Sequence, residues 1–356
     1  MIRTELSLVT IVLSGFGLWV LGMFALSMLR GFAWRKQRLA HHSNLPAIRE
    51  VLIDYLSGNE DRTRLREFLQ TVPDQLAEAF MSFEGTVAGS ARDRLCDLGL
   101  ELALIHQWCE ESRSRNVQQR RTAYWRLAFV CSYEPCRRIT SDILMRGIND
   151  SDEEVRLAAS RAMVYTGAPD DVERVFEYAV SQNPLNRILL SEELRPYAAV
   201  LCERAIPKVL KSGDPSSTVG MLQMVAAWER AVALPGIGTL LRSDNRQIRL
   251  LALQVAPLVQ DSPEVRKAIL DALADADSEI FAAAAGAAGR LRLEAALPDL
   301  ARLLRTGDSH RARAAAAALG SIPPKGLVAL QELTASPSTT TAVAAAEALS
   351  RTRGQR

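Results

Sequence analysis

The eleven residues DEEVRLAASRA, Asp152 to Ala162, decide the fold. Acidic residues come first, where a helix N-terminus needs side-chain acceptors. Val155, Ala159 and Ala162 then fall at the first, fifth and eighth places of a register that lies along one helix face. Arg156 follows the first place. The register returns at Asn186-Arg187 with Leu190 and Leu194, at Ser217 with Met221 and Met224, and at Ile248-Arg249 with Ala252 and Val255. It continues at Ile280 with Ala284 and Ala287, at Ala312-Arg313 with Ala316 and Leu319, and at Ala342 with Ala346 and Leu349. An earlier copy fits Arg120-Arg121 with Tyr124 and Leu127. Successive starts lie 30 to 35 residues apart, so one unit repeats through two thirds of the chain.

Turn-forming residues precede these helices, as in Asn149-Asp150-Ser151-Asp152, Gly213-Asp214-Pro215, Ser243-Asp244-Asn245, Asp275-Ala276-Asp277 and Gly307-Asp308-Ser309. They cap helices well and sit poorly inside them. A second helical pattern follows the first, over Asp170 to Val180, Ser262 to Ala274 and Ala295 to Arg305. Each unit is therefore a helical hairpin. One hairpin cannot bury its own apolar face, so the units must stack. Alanine at the fifth place in five of eight units lets neighbouring helices approach closely.

The segments Asp152-Glu-Glu-Val155-Arg156, Asn245-Arg-Gln-Ile248-Arg249 and Asp308-Ser-His-Arg-Ala312-Arg313 resemble HEAT repeats, in the short form also found in phycobilisome-lyase-like HEAT proteins. The resemblance covers roughly residues 115 to 356. It implies an all-α fold, an alpha-solenoid of HEAT-like helical hairpins. Thr218, Phe281 and Val343 depart from the pattern by replacing its Arg, and Glu193 departs by occupying an apolar place. Tetratricopeptide repeats have a period of about 34 and a Trp/Gly/Tyr pattern that is missing here. The resemblance also implies a ladder in which the turn Asp pairs with the helix Arg, Asp150 with Arg156 and Asp308 with Arg313. It places the V-R helix on the concave side. The outward residue, six after the first, then reads Arg126, Arg161, Glu192, Gln223, Gln254, Gly286, Ala318 and Ala348. Arg126, Arg161, Glu192, Gln223 and Gln254 are the candidate partner-binding residues. The small residues after them would admit a partner helix closely.

Working outward toward the N-terminus, Leu6 to Leu29 holds 24 residues with no charge and no proline. As a helix it is about 36 Å long at roughly 1.5 Å per residue, enough to span about 30 Å of hydrocarbon. A signal peptide would need a more basic start than Arg3 beside Glu5, and a cleavage pattern after the run. Instead Arg30, Arg35, Lys36 and Arg38 follow, and such a cluster retains its side in the cytoplasm. The reading is a single transmembrane helix, N-out, with the repeats in the cytoplasm. The expected organisation is an anchor over 1–30, a basic juxtamembrane linker over 31–44, a divergent helical cap over 45–114, repeats over 115–351 and a disordered tail over 352–356. Within the cap, Ile48, Val51, Leu52, Tyr55 and Leu56 form one amphipathic stripe, and Leu95 to Trp108 is strongly apolar.

Motifs for chemistry are sparse. The four histidines form no HExxH and no His-Glu dipeptide, and His41-His42 reads as a solvated pair beside the membrane. Cys131 and Cys136 lack the second half of a zinc site, and Cys96, Cys109 and Cys202 read as small buried residues. There is no Walker loop and no G-x-S-x-G. No enzyme activity, metal, cofactor or small-molecule substrate is expected. The net charge is only +2, which gives no basic field for nucleic acid. That near-neutrality conceals a +4 stretch from Glu110 to Arg138 and a −5 stretch from Asn149 to Gln182. Trp108, Trp125 and Trp228 are candidate partner anchors or core residues.

The expected function is therefore a membrane-anchored scaffold that binds another protein. The Ala- and Arg-rich composition places it at a bacterial inner membrane. By resemblance only, its client would be an envelope or polysaccharide-synthesis machine. The alternative reading is a HEAT-type enzyme or nucleic-acid binder, bilin-lyase-like or alkyl-base glycosylase-like.

Overall fold

The structure is a computed structural model of the chain and describes residues 45–58, 65, 69, 73–259, 261–306, 308–336 and 338–354. The run Leu6 to Leu29, the residues Arg30, Arg35, Lys36 and Arg38, and the pair His41-His42 lie outside the described residues. Among the described residues no helix is long and apolar enough to cross a membrane. Apart from one isolated bridge they are helix, turn and loop. They fall into two compact units, residues 1–143 and 144–356.

In the first unit, α1 (Leu45–Ser57) buries Ile48, Leu52 and Leu56 and packs on α2 (Pro73–Met81). The apolar stretch Leu95 to Trp108 is split rather than continuous. Ala103, at φ +57°, separates α3 (Gly89–Glu101) from α4 (Leu104–Glu111). The reversal brings Ile105 back against Gly99, where an added Cβ would stand 3.5 Å from the Ile105 side chain and 3.1 Å from Phe80. Helix α5 (Val117–Val130) packs on α4, with Trp108 fully buried. Helix α6 (Glu134–Gly147) carries the chain into the second unit.

The second unit is a series of hairpins. Helix α7 (Glu153–Val164) pairs with α8 (Pro169–Val180). Helix α9 (Pro184–Leu194) is followed by a 3-10 turn, α10 (Ala198–Arg204) and α11 (Ile206–Ser212), a second helix broken near Pro207. Then come α12 (Pro215–Ala227) with the short α13 (Ile237–Leu240), and α14 (Arg246–Val255) with α15 (Pro263–Ala272). Helix α16 (Ser278–Arg290) pairs with α17 (Leu297–Thr306), and α18 (Ser309–Gly320) with α19 (Lys325–Leu333). The last helix, α20 (Thr339–Gly354), includes Thr352, Arg353 and Gly354, which the sequence reading placed in a disordered tail. First helices pack on one another in order, α12 on α14, α14 on α16, α16 on α18 and α18 on α20.

One capping position recurs along the chain. Asn116, Asp152, Asn183, Asp214, Asn245, Asp277 and Asp308 each accept from backbone N–H groups in the first turn of seven successive first helices. Each cap is worth about 1 kcal/mol, and together they set the register. Measured from the cap, the first places are 119, 155, 186, 217, 248, 280 and 311. Two of the eight sequence starts therefore move back by one residue, from 120 to 119 and from 312 to 311, and in the last unit the Ser338 hydroxyl, which accepts from the Thr341 N–H at 3.5 Å, moves 342 to 341. The fifth places then become Ala123, Ala159, Leu190, Met221, Ala252, Ala284, Ala315 and Ala345, all fully buried. Ala346, the fifth place on the sequence reading, is exposed.

Close approach accompanies this small-residue core. At Gly220 of α12 an added Cβ would lie 2.1 Å from the Val180 carbonyl oxygen, so only glycine fits between α12 and the end of α8. The hairpin begun by α12 is unlike the others. Trp228 is buried, and its Nε1 donates to the Ser191 carbonyl at 3.1 Å. Glu229 turns the chain at φ +48°, and Pro235-Gly236 closes the turn with Gly236 at φ +75°. In place of most of a second helix the chain runs extended, with Val232 paired to Val259 in a parallel bridge.

Candidate protein-interaction face

The first helices bury their fifth place in every unit, and the residue six after the first lies off that buried row. In the corrected register the residue six after the first reads Trp125, Arg161, Glu192, Gln223, Gln254, Gly286, Ala317 and Glu347. Gln223 is half-buried and the others are exposed. The sequence reading named Arg126, Ala318 and Ala348 in three of these places. Ala318 and Ala348 are buried against neighbouring helices. Arg126 turns aside to pair with Glu111 at 2.9 Å, with its guanidinium 6.0 Å from the Trp108 ring centroid. Trp125 takes the outward place on α5 and is 45% exposed.

Arg161, Gln223 and Gln254 are tied into contacts between repeats, and Glu192 into one within its own repeat. Arg161 donates to Glu193 at 3.0 and 2.6 Å. Partial burial works against the Arg161 charge, but the hydrogen bonds and charge of Glu193, together with Tyr165, outweigh it and raise its pKa. Burial, then Glu193, raises the Tyr165 phenol beside it. Glu192 lies 3.5 Å from Arg195. Gln223 accepts from Arg187, whose pKa burial lowers. Gln254 keeps its side chain in solvent while its carbonyl accepts from Arg290 at 2.8 Å.

Sequence reasoning missed the row two places after the first. In the second unit it reads Leu157, Ile188, Val219, Leu250 and Ala282, then Arg313 and Val343. None of these is buried, yet five consecutive repeats are apolar there. The row is widest on α9, where Leu185, Ile188 and Leu189 are 67%, 59% and 45% exposed. Their spacing puts them on one helix face. The signal was available in the sequence: the core needs only the other places, so an apolar residue here is surplus in every unit from 155 to 280.

The expected Asp–Arg ladder takes another form. Arg156 Nη1 donates to the backbone carbonyls of Asp150 (2.8 Å) and Ser151 (3.0 Å), not to the Asp150 carboxylate. Arg249 does the same to Ser243 (2.7 Å) and Asp244 (3.1 Å), and Arg120 to Ser114 (3.0 Å) and Arg115 (3.3 Å). Where Phe281 replaces this arginine, Arg311 of the next repeat reaches back. It donates to the carbonyls of Asp275 (3.0 Å) and Ala276 while lying 5.5 Å from the Phe281 ring centroid. Asp308 caps His310 and Arg311, and among the described residues Arg313 donates to the Ser309 carbonyl and not to Asp308, so the two do not form the expected pair. Charged pairs also join successive repeats. Arg246 bonds Asp277 and Glu279, which holds the Asp277 carboxyl down at about 2. Arg204 and Lys208 both meet the buried Glu173. Among the described residues no group of three or more His, Cys, Asp or Glu is placed to hold a metal ion. All five cysteines are buried thiols.

Residues 234–320 match the HEAT repeat family, and the capped register extends the same hairpin pattern on both sides of that segment. No curated protein matches the chain in sequence. Similar solved structures include an engineered protein, 16% identical, with 86% of this chain and 98% of that one covered and a TM-score of 0.36. Another is Kap95p in its RanGDP complex, 10% identical, with 87% and 51% covered and a TM-score of 0.49. A third is human deoxyhypusine hydroxylase with glycerol, 16% identical, with 89% and 99% covered and a TM-score of 0.30. The chain spans about half the length of Kap95p and 44% of importin beta.

Proposed function

Taking the chain as a stack of HEAT repeats, we propose that it is a membrane-tethered scaffold that binds another protein across its first helices. HEAT-repeat scaffolds are typical of protein–protein interaction. The observation that carries the reading is the apolar row Leu157, Ile188, Val219, Leu250 and Ala282, broadened on α9 by Leu185 and Leu189. Scattered apolar residues on a surface need no explanation, whereas a contiguous apolar strip marks an interaction site. Gln223, Gln254, Glu192 and the Arg161–Glu193 pair give the strip a polar border, the anatomy of a protein interface. The border is not basic, so the face offers no track for a phosphate backbone.

The tether is supported by Leu6 to Leu29 and by Arg30, Arg35, Lys36 and Arg38 after it. It would hold the repeats on the cytoplasmic side of a bacterial inner membrane and raise their effective concentration near a membrane partner. The test is affinity capture from crosslinked native membranes with the wild type and with the double variant Leu185→Asp, Ile188→Asp. A partner captured by the wild type and lost from the variant supports the reading. An unchanged capture profile, or a topology reporter at the C-terminus scoring outside, contradicts it.

A further inference from the structure

The exposed side of the first helices has a spacing of its own. Helices α7, α9, α12, α14, α16, α18 and α20 pack on one another in that order, and packed helices lie about 8–10 Å apart. Leu157, Ile188, Val219, Leu250 and Ala282 hold the same place on five of them, so the row offers an apolar contact about every 8–10 Å. A partner helix laid along the row returns the same face every seven residues, or about 10.5 Å. An extended strand returns its face after about 6.7 Å and again after about 13 Å. The row therefore matches a helix and not a strand. Side-chain size also changes along it. Ile188 projects into solvent, whereas an added Cβ at Gly286, one turn after Ala282, would meet nothing within 4 Å. A larger partner side chain has space there.

Charge sets the direction. Of the charged residues on the two outward rows, Arg161 is bonded to Glu193, and Glu192 and Glu347 lie 3.5 and 3.7 Å from Arg195 and Arg351. Arg313 continues the apolar row on α18 and has no carboxylate partner among the described residues. Its Nε donates to the Ser309 carbonyl of its own helix at 3.2 Å. Arg313 lines a hollow of about 410 Å³ with Thr339, Thr340, Val343 and Glu347. Over these seven first helices ten arginines stand against six glutamates, so the face as a whole suits an acidic partner. We infer that the occupant is an amphipathic α-helix of another protein. It carries an apolar residue every seven places and, at the next such place, an acidic residue that pairs with Arg313. The inference rests on the protein-binding reading above and names the partner's chemistry.

The probe is a fluorescein-labelled peptide of about 33 residues, long enough for four heptads at about 1.5 Å per residue. On an alanine and glutamine background it places leucine, leucine, leucine, phenylalanine and glutamate seven residues apart, to face Ile188, Val219, Leu250, Ala282 and Arg313. It is titrated into the full-length chain in detergent and read by anisotropy. Saturable binding is expected. Replacing the peptide's glutamate by lysine should weaken it about fivefold, as should Arg313→Glu, and combining the two should restore it. Arg313 is exposed, so the variant should melt with the wild type. Absence of saturable binding up to about 1 mM overturns the inference. So does equal binding of a peptide with the same residues spaced six apart, or a pair of charge reversals that fails to restore affinity. If any of these results accompanies a membrane partner that is still lost on Leu185→Asp, Ile188→Asp, the protein-binding reading stands and only the helix is withdrawn.

Discussion

Arg311 is the residue whose loss should tell most about how successive repeats hold each other. Its guanidinium bonds the carbonyls of Asp275 and Ala276 and lies over Phe281, so Arg311→Ala removes three contacts at once. A hydrogen bond from a charged donor is worth about 1.5–3 kcal/mol. Arg311 is half-buried, so the lower end, about 1.5 kcal/mol, applies. The ring contact adds about 0.5 kcal/mol at a partly exposed site. The expected loss is about 2 kcal/mol, or a melting temperature lower by about 4–8 °C in a unit of this size. Because each repeat contacts only its neighbours, amide exchange should quicken in residues 275–290 and stay unchanged in α7 and α8. Arg313→Ala is the control. It removes one exposed bond to the Ser309 carbonyl and should cost no more than about 0.5 kcal/mol. The reasoning fails if the two variants melt together, or if exchange in residues 275–290 does not respond to Arg311→Ala.

Three further outcomes follow from the same contacts. Gly220→Ala places a Cβ 2.1 Å from the Val180 carbonyl oxygen, which must push α12 from α8 and cost about 2–3 kcal/mol in thermal unfolding. Ala345→Leu should destabilise because Ala345 is fully buried, while Ala346→Leu should be neutral because Ala346 is exposed; equal melting of the two would return the last register to its sequence placement. Asp277 is held down at about 2, first by its bond from Arg246 and then by the Glu279 backbone N–H. A carboxyl depressed in the folded state adds stability that is complete above its ordinary pKa of about 4 and is lost as pH falls through the folded value. Arg246→Gln should raise the Asp277 pKa toward the ordinary value in an NMR titration and flatten the acid limb between about pH 4 and 2; an unmoved Asp277 would show that the bond contributes nothing.

The repeat was legible because its signals are local. Asp152, Asp214, Asn245, Asp277 and Asp308 precede apolar stripes in the order a helix start requires, and the structure uses each as a cap. The one-residue slips fell where composition erases the stripe. In the segments 311–319 and 341–349 alanine fills six and five of the nine places, so neighbouring registers bury similar area and only the cap decides. Arg120-Arg121 offered two arginines for one place, and the Asn116 cap selects Arg120. The break at Ala103 was hidden because an apolar run carries no mark of a reversal that depends on Ile105 packing on Gly99. The turn at Pro235-Gly236 is marked in the sequence, but the bridge from Val232 to Val259 is a tertiary fact. Among the candidate site residues, the outward place was found on α7, α9, α12 and α14 and missed on α5, where Trp125 rather than Arg126 holds it. The apolar row of Leu157, Ile188, Val219 and Leu250 escaped because its places also fit a half-buried helix flank, and only the structure shows that no neighbouring helix covers them.

The central claim is that the first helices of the second unit present an apolar face to a protein partner. The most direct measurement places a photoreactive amino acid in turn at 157, 188, 219 and 250, and at Val328 on α19, in cells carrying the full-length chain. Val328 is 52% exposed and lies on a second helix. The account predicts one crosslinked protein species shared by the four first-helix positions and absent from 328. Crosslinks of equal yield from 328, or none at all from 157, 188, 219 and 250, would contradict it.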